Sequence, residues 1–550
     1  MTTMAATQAP PQGEGRAART ARYLKSGSWS REPTVARFRA IVAEHGERDA
    51  VIGADGSLTY RELDDRSEQI AAWLISAGLP PRGAVLVQTG NSVESVLAFY
   101  SLLKAGAVPV AALAAHRSHE IGQISDIVQP VGHLIDTDVA DGVLVQVAQD
   151  NAVQYQSVRH LWTVGAAPEG MVRLMDVGRD LSPVTARASV DAVQESIHHE
   201  DVAVYQLSGG TTGTPKVIPR LHTEYWNNGL FNSRALNRSA RSRIAHVLPV
   251  LHNAGVINAL FGAHSVGGCV VPLPFAGPDA SLTALIDAGV TEMMLGGPME
   301  SWFDHPLWPA LAETLESLIY SGSKPSAALI ARMGEQAIWM GQTWGMAEGP
   351  YTSTPSIATE ELRGVSVGTP TFGGDDEMVI VDPSTLAALP AGETGMLAFR
   401  GPSTIAKYLH APERDREAFT PDGHLLTGDL ARIIDHEGSP YVSLEGRIKD
   451  VISRGGEKIS TEEVEKLLRQ HPAVIDAAVV ATPDARLGER ACAYLTLTDP
   501  AAPLDLESIQ AHFAALGVAK FKWPERLEIL DALPRTPTYK IDKAELRRRV

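Results

Sequence analysis

A segment rich in glycine and threonine, placed directly after a largely apolar run, constrains the fold of this 550-residue chain most strongly. The apolar run at residues 202–207 reads Val-Ala-Val-Tyr-Gln-Leu, and residues 208–216 read Ser-Gly-Gly-Thr-Thr-Gly-Thr-Pro-Lys. Glycines permit a tight turn and a close approach of the backbone to a ligand. Backbone N–H groups, hydroxyls and the Lys216 ammonium are groups that bind a polyphosphate. The segment does not match the Walker A pattern, and a plain surface turn is the alternative.

The composition limits the classes of partner. The formal net charge of −17 argues against nucleic acid or an anionic membrane as the main partner. Cys269 and Cys492 lie far apart in the sequence and indicate a reducing, cytoplasmic setting. No apolar run reaches the ~18 residues of a membrane-spanning helix. We therefore expect a globular chain of about three or four compact units.

The pattern along the chain predicts an α/β fold. Strand-like and helical runs alternate in a large N-terminal domain of stacked α/β layers over residues 26–449, and a capping box at Thr59 and Glu62 predicts one helix start. From about residue 368 to 449, shorter strands and Gly/Pro turns indicate a β-rich subdomain. Residues 450–550 predict a small α+β C-terminal domain, and residues 1–25 predict a disordered lead-in.

Further segments carry motifs in a fixed order. They read Leu-Pro-Val-Leu-His-Asn at 248–253, Gly-Gln-Thr-Trp-Gly-Met-Ala-Glu-Gly at 341–349, Gly-Glu-Thr-Gly at 392–395, Leu-Thr-Gly-Asp-Leu at 426–430, Gly-Arg-Ile-Lys-Asp at 446–450, Arg-Gly-Gly-Glu-Lys-Ile at 454–459 and Pro-Arg-Thr-Pro-Thr-Tyr-Lys at 534–540. Together with the loop at 208–216, these motifs resemble in sequence and in order the motifs of the adenylate-forming enzymes. That superfamily includes acyl- and aryl-CoA synthetases, peptide-synthetase adenylation domains and luciferases. The resemblance covers nearly the whole chain. It implies that the protein activates a carboxylic acid with ATP.

The resemblance also implies roles for individual residues. Lys540 would bridge the carboxylate and the phosphate, and Glu348 would bind Mg²⁺, which takes few protein ligands besides phosphate oxygens. Asp429 would accept hydrogen bonds from the ribose hydroxyls, and Arg447 would support the same nucleotide. His252 joins the catalytic set as a pocket-wall residue, because a carboxylate needs no general base at pH 7. The remaining implied nucleotide-binding residues are Ser208, Gly209, Gly210, Thr211, Thr212, Gly213, Thr214, Lys216, Gly345, Met346, Ala347 and Lys458.

Within the superfamily, the motif sequences are most similar to those of the stand-alone aryl-acid–AMP ligases. These enzymes activate 2,3-dihydroxybenzoate or salicylate for siderophores and related natural products. Asn253 matches the asparagine that hydrogen-bonds the 2-hydroxyl in that group. Residues 254–258 read Ala-Gly-Val-Ile-Asn where an aromatic residue and a serine are common, and residues 320–323 read Tyr-Ser-Gly-Ser in place of Val-Gly-Gly-Ala. Asn258, Ser321 and Gly322 are therefore expected to line a more polar pocket. This departure makes salicylate, or another ortho-hydroxy or ortho-amino aryl acid, at least as good a candidate as 2,3-dihydroxybenzoate.

The resemblance implies a second step, in which the aryl group passes to the phosphopantetheine thiol of a separate carrier protein. Transfer to free coenzyme A is an alternative that the motifs leave open, and a binding module without turnover is a third reading. The resemblance also implies that the C-terminal domain is mobile and rotates about Asp450 between the two steps. A hinge generally consists of a few element-terminal residues.

Overall fold

The computed structural model describes residues 15–208, 215–274, 276–322, 324–454, 457–484, 486–499, 504–536 and 540–550. The chain divides into two compact units. The first consists of Met1–Glu377, Phe399–Leu425 and His436–Tyr441, and the second consists of Met378–Ala398, Leu426–Asp435 and Val442–Val550. The boundary between domains that the sequence suggests at residue 450 stays a prediction.

The strands are numbered here in chain order. They are β1 Asp49–Gly53, β2 Gly56–Thr59, β3 Ala84–Gln88, β4 Val108–Ala111, β5 Gly132–Asp136, β6 His160–Val164, β7 Val172–Arg173, β8 Val202–Ser208, β9 Lys216–Leu221, β10 Arg243–His246, β11 Cys269–Pro272, β12 Glu292–Leu295, β13 Ser317–Tyr320, β14 Trp339–Gly345, β15 Tyr351–Ser353, β16 Thr369–Pro370, β17 Glu377–Val381, β18 Gly395–Arg400, β19 Leu425–His436, β20 Ser439–Arg447, β21 Val451–Arg454, β22 Glu457–Ser460, β23 Val474–Asp484, β24 Gly488–Leu497 and β25 Arg526–Ile529.

The α-helices follow the same convention. They are α1 Arg16–Ser26, α2 Thr34–His45, α3 Tyr60–Ser76, α4 Val93–Lys104, α5 Ser118–Val128, α6 Val143–Gln154, α7 Pro183–Gln194, α8 His222–Ala235, α9 Asn253–Gly255, α10 Phe261–His264, α11 Pro278–Asp287, α12 Trp308–Ala312, α13 Ala327–Glu335, α14 Glu360–Val365, α15 Pro412–Ala418, α16 Thr461–Leu468, α17 Leu506–Ala515 and α18 Lys543–Arg548. Among the described ranges, no helix is both long enough and apolar enough to cross a membrane.

The first unit contains the two largest sheets. The nine-stranded sheet has the order β16-β15-β14-β13-β12-β10-β11-β1-β2, in which the strands from β14 to β1 run parallel. The seven-stranded sheet has the order β7-β6-β5-β3-β4-β8-β9, and only β9 runs antiparallel to its neighbour. Parallel strands linked by helices are the arrangement that the α/β alternation predicts, so the predicted fold class is confirmed.

Helix α3 shows how the sequence determines one of these layers. The Thr59 side chain accepts a hydrogen bond from the Glu62 N–H, and the Glu62 carboxylate accepts one from the Thr59 N–H, which confirms the predicted capping box. Along the helix, Leu63, Ile70 and Leu74 are fully buried in the largest apolar cluster, which includes residues from both sheets. The spacings of seven and four residues between these positions place them on one face of the helix.

The prediction of a disordered lead-in is wrong from residue 16 onward. Residues Arg16–Ser26 form helix α1, in which Tyr23 is buried. Arg22 pairs with Asp375 at 2.7 Å, so the helix is held by a long-range contact that composition does not reveal. Residues 1–14 of the predicted lead-in lie outside the described part of the chain.

The second unit contains a five-stranded sheet with the order β22-β21-β24-β23, and β25 pairs with β24. Helices α16 and α17 contribute Val464, Leu468, Ile509 and Phe513 to one apolar cluster with this sheet. Cys492 is a buried free thiol in β24, and burial raises its pKa to about 11. The thiol is therefore protonated at neutral pH and has a packing role.

Candidate active site

The carboxyl ends of parallel strands bring several predicted motif segments to one edge of the nine-stranded sheet. Strands β10, β12, β13 and β14 run parallel and are successive neighbours. The chain reaches His252 soon after β10, Ser321 directly after β13 and Met346 directly after β14. In open α/β sheets, ligands bind outside the carboxyl ends of the strands. We therefore describe this edge as the candidate active site.

Glu348 occupies a fixed turn at this edge. Its carboxylate is buried, and Oε1 accepts a 2.9 Å hydrogen bond from the Tyr408 hydroxyl. The next residue, Gly349, has φ +115°, and a Cβ there would lie 1.7 Å from the Ser403 carbonyl oxygen. Only glycine avoids both the strain and the clash, so Gly349 allows the backbone to hold Glu348 in this place.

Tyr408 links Glu348 to the end of the predicted phosphate loop. Lys216 Nζ donates to the Tyr408 hydroxyl at 3.3 Å, and the ammonium lies 4.8 Å from the centre of the ring. Burial, followed by the nearby Glu348 carboxylate, raises the pKa of Tyr408 well above its ordinary value. Tyr408 therefore remains a hydrogen-bond donor at neutral pH. Sequence reasoning missed Tyr408, because it acts through contacts with residues that are distant in the chain.

Asn253 is buried at the same edge and is held by three partners. Its Oδ1 accepts hydrogen bonds from Arg220 Nη1 at 2.7 Å and from the Tyr225 hydroxyl at 3.2 Å. Its Nδ2 donates to the Met346 carbonyl oxygen at 2.9 Å. The residue predicted to contact the acid therefore touches a residue predicted to bind the nucleotide. Nothing in the sequence indicated the contact between Arg220 and Asn253.

Asn258 is also buried, but its carboxamide oxygen already has two donors. Oδ1 accepts from Asn232 Nδ2 at 3.1 Å and from Arg238 Nη2 at 2.9 Å. It lies in a π-helical turn, Val256–Leu260, which directly follows α9. Such turns occur frequently at functional sites. Its predicted role in the acid pocket stays a prediction.

The structure also places the other predicted residues of this edge. His252 is half-buried and precedes α9, and its carbonyl oxygen accepts from the Val256 N–H at 2.9 Å. Ser321 is half-buried and Gly322 is exposed, with φ +91°. Gly345 ends β14, and Ala347 accepts a hydrogen bond from Arg220 at 3.2 Å through its carbonyl oxygen.

The predicted phosphate loop is described only at its two ends. Ser208 at the end of β8 pairs with Lys216 at the start of β9 in antiparallel register, so the two residues bring the ends of the loop together. Gly209, Gly210, Thr211, Thr212, Gly213 and Thr214 lie outside the described residues, as does the side chain of Lys458.

The second unit contains another group of predicted nucleotide-binding residues. Asp429 is buried, and its Oδ1 lies 3.3 Å from Arg447 Nε. Lys540 is exposed as a whole residue, but its ammonium is desolvated, and this lowers the pKa of Lys540. The positive charge of Arg447 lowers this pKa further, whereas the negative charge of Asp429 acts to raise it. These three residues therefore interact electrostatically. Asp450 ends a short 3-10 turn, and its carboxylate pairs with Arg547 of α18.

The described residues do not form a cluster of three or more His, Cys, Asp or Glu side chains that could hold a metal ion. This finding is compatible with Mg²⁺, because that ion is usually held by one or two carboxylates together with substrate phosphates and water. Glu348 fits the requirement, since it is buried and Tyr408 occupies only one of its two carboxylate oxygens.

Comparison with protein families identifies the chain. A model described as "AMP-binding enzyme" matches residues 38–409, and one described as "AMP-binding enzyme C-terminal domain" matches residues 463–540. The chain belongs to the AMP-binding enzyme family. The resemblance to adenylate-forming enzymes that the motifs indicate is thereby confirmed, and this AMP-binding enzyme uses ATP.

Individual relatives cover the AMP-binding enzyme almost completely. It is 36% identical over 544 residues to a salicylyl-CoA synthase / salicylate adenylyltransferase of a Streptomyces species, covering 96% of this chain and 95% of that protein. It is 33% identical to the 2,3-dihydroxybenzoate-AMP ligase of Bacillus subtilis, with 96% and 95% covered. Among solved structures, the apo structure of MbtA from Mycobacterium smegmatis is 32% identical, with a TM-score of 0.71 and 98% of each chain covered.

Proposed function

We propose that this AMP-binding enzyme joins an ortho-substituted aromatic carboxylic acid, of which salicylate is the simplest, to the AMP moiety of ATP with release of pyrophosphate. The observation that carries the proposal is the hydrogen bond from Asn253 Nδ2 to the Met346 carbonyl oxygen at 2.9 Å. It joins the residue that would recognise the ortho substituent to the segment that would hold the nucleotide. The relatives named for salicylate and 2,3-dihydroxybenzoate support the same class of acid.

In the proposed reaction, a carboxylate oxygen attacks the α-phosphorus of ATP and the bond to the β-phosphate oxygen breaks. No proton needs to be removed, because an aromatic carboxylic acid is ionised at neutral pH. The two reactants are both anions, so catalysis consists mainly of positioning and of stabilising charge on the phosphoryl oxygens. We assign that stabilisation to the Lys540 ammonium and to the loop between Ser208 and Lys216. Asp429 and Arg447 would hold the ribose.

We assign Mg²⁺ to Glu348. When bound, the ion would neutralise charge on the phosphates and on the leaving pyrophosphate. Glu348 suits this role because its turn is fixed by Gly349 and its carboxylate is oriented by Tyr408. His252 would form part of the pocket wall.

Transfer of the aryl group to the phosphopantetheine thiol of a separate carrier protein is the second step that we propose. Free coenzyme A is the alternative acceptor. The Streptomyces relative supports this alternative, because it is named both a salicylyl-CoA synthase and a salicylate adenylyltransferase. Incubation of the purified enzyme with ATP, salicylate and either coenzyme A or a phosphopantetheinylated carrier protein would separate the two. We place the reaction in the cytoplasm, in keeping with two buried cysteines that are free thiols.

The proposal is tested by acid-dependent ATP–pyrophosphate exchange. The panel contains salicylate, anthranilate, 2,3-dihydroxybenzoate, benzoate, hydroxypicolinates, cinnamates and aliphatic acids, and a reaction without acid is the blank. We expect an ortho-substituted benzoate to give the highest kcat/KM. Faster exchange with aliphatic acids, or no exchange with any aromatic acid, would contradict the proposed substrate class.

A further inference from the structure

Arg220 is fully buried and contacts both Asn253, which we assign to the acid, and Ala347, which we assign to the nucleotide. Its Nε and Nη2 donate to the two carboxylate oxygens of Glu224 at 2.9 and 2.7 Å. Its Nη1 donates to Asn253 Oδ1 at 2.7 Å and to the Ala347 carbonyl oxygen at 3.2 Å. Burial acts to lower the pKa of Arg220, but Glu224 more than offsets that effect and the pKa is raised. The side chain is therefore a permanent cation with a fixed geometry.

The partners of Asn253 determine which way its carboxamide faces. An arginine can only donate hydrogen bonds and a backbone carbonyl oxygen can only accept them. Arg220 therefore requires the oxygen of the carboxamide on its own side, and the Met346 carbonyl requires the nitrogen on the other. A flipped carboxamide would face Arg220 N–H groups with its own N–H groups and would place two oxygens together at Met346. Each unpaired buried group carries a desolvation penalty.

This orientation leaves one specific group for a ligand. The carboxamide oxygen has two donors, Arg220 and Tyr225. One N–H is used by Met346, and within the described part of the chain the second N–H has no partner. An asparagine held in this way offers a donor and no acceptor.

We infer that Arg220 is a positioning residue that makes Asn253 a hydrogen-bond donor toward the acid, so that the site selects an ortho-hydroxyl and rejects an ortho-amino group. The inference rests on the proposed function and narrows its substrate class. In salicylate the phenolic proton is directed internally at the carboxylate, and the phenolic oxygen presents lone pairs outward. In anthranilate the nitrogen lone pair is delocalised into the ring and the second N–H points outward. Asn253 would therefore meet an acceptor in salicylate and a donor in anthranilate.

The size of the expected preference for salicylate follows from the free-energy cost of placing the Asn253 N–H against the anthranilate N–H in a buried site. Loss of a hydrogen bond together with an unpaired polar group corresponds to about 100-fold in kcat/KM. We therefore expect the wild-type enzyme to prefer salicylate over anthranilate by about 100-fold. The ratio of the two values is independent of any general loss of activity, which makes it a suitable readout for a residue that acts through another.

The decisive variant is the double substitution Arg220→Met with Glu224→Leu. Removing both members of a buried ion pair avoids leaving one charge unpaired, which single removal would do. We expect the salicylate-to-anthranilate ratio to fall to less than about 10-fold, because the charged donor is gone and only the neutral Tyr225 and Met346 groups then oppose a turn of the carboxamide. Tyr225→Phe is the matched comparator: it removes the neutral donor to the same oxygen while Arg220 still fixes the orientation, and we expect it to keep the preference.

Arg220→Lys provides a second test that does not depend on the double variant folding. It keeps a cation opposite Glu224, but a single ammonium replaces the planar fork that reaches both Glu224 and Asn253. We expect a ratio between those of the wild type and the double variant. Thermal melting of each variant confirms that the ratio is measured on folded enzyme.

The possible outcomes separate this inference from the proposed function. If no aromatic acid supports ATP–pyrophosphate exchange, the proposed function is contradicted. Exchange with aromatic acids but an unchanged ratio in folded Arg220 variants would overturn the positioning role alone. A wild-type preference for anthranilate would also overturn it, and would point instead to Gln206 Oε1, a buried acceptor without a partner in the described ranges.

Discussion

The Tyr408 hydroxyl donates a 2.9 Å hydrogen bond to Glu348 Oε1. The same hydroxyl accepts from Lys216 Nζ at 3.3 Å. One tyrosine thus connects the lysine at the end of the predicted phosphate loop with the carboxylate assigned to Mg²⁺. Because both neighbours are charged, these hydrogen bonds are of the stronger kind. Tyr408 therefore fixes the relative position of the two groups that would meet the triphosphate and its metal ion.

We predict that Tyr408→Phe lowers the apparent affinity of the enzyme for Mg²⁺ without unfolding the protein. The ring and its packing remain, while the hydrogen bond that orients Glu348 is lost, and supporting residues of a metal site typically affect metal affinity by about 10–100-fold. The measurement is the Mg²⁺ concentration that gives half-maximal ATP–pyrophosphate exchange, which should rise by about tenfold or more. An unchanged Mg²⁺ requirement would remove Tyr408 from this role. Tyr205→Phe, on β8, is the control for loss of a tyrosine hydroxyl.

Lys540→Ala should reduce ATP–pyrophosphate exchange by about 100-fold or more, because it removes a cation from the phosphoryl oxygens. The expected effect is on kcat and not on the melting temperature. Lys520→Ala, which removes an exposed lysine from the same unit, is the matched control and should leave exchange unchanged. Near-normal exchange by the Lys540 variant would exclude Lys540 from the reaction.

The lowered pKa of Lys540 also predicts the direction of a pH effect. Since the ammonium is the form that stabilises phosphate charge, its contribution is complete below the folded-state pKa and is lost as the pH rises through that value. Desolvation, followed by Arg447, places this value below the ordinary value for a lysine. We therefore expect exchange to decline at a lower pH than an unperturbed lysine would produce. A profile of kcat/KM, which reports groups of the free enzyme, that stays flat up to pH 10.5, the ordinary value for a lysine, would contradict this expectation.

The sequence predicted the fold class and the order of the motifs because both depend on local patterns. Each of these patterns lies within one short segment of the sequence: apolar spacings of two or four residues, glycine turns, and the capping box of Thr59 and Glu62. The links among Lys216, Tyr408 and Glu348 were not predictable, since they join segments that meet only after the sheets have formed. The same reason explains the missed helix α1, which is held by the contact between Arg22 and Asp375.

Asn253→Leu should affect salicylate more than benzoate, because only salicylate loses a hydrogen-bond partner. The measurement is kcat/KM in the exchange assay for salicylate and benzoate. The substitution also leaves Arg220 and Tyr225 without their acceptor, at a cost of about 1–3 kcal/mol in the free energy of unfolding. Melting curves should therefore accompany the kinetics. Equal losses for both acids would show that Asn253 is structural.

Asp450→Pro should slow thioester formation while leaving ATP–pyrophosphate exchange largely intact. Proline fixes φ near −65° and would block the rotation that we expect between the two steps. Because the Asp450 carboxylate pairs with Arg547, Asp450→Ala is the matched control: it removes the ion pair and leaves φ free. We expect Asp450→Ala to retain both half-reactions. Equal damage to both half-reactions by the proline variant, or to neither, would rule out the hinge.

The most direct test of the account is a single-turnover reaction of the purified enzyme with ATP, Mg²⁺ and salicylate in the absence of any thiol. Rapid quenching and mass spectrometry would identify the products bound to the enzyme. We predict salicyl-AMP and pyrophosphate in equal amounts, up to one equivalent per active site, and neither product from Lys540→Ala on the same timescale. Formation of ADP and an acyl phosphate, or ATP hydrolysis that does not depend on the aromatic acid, would contradict the account.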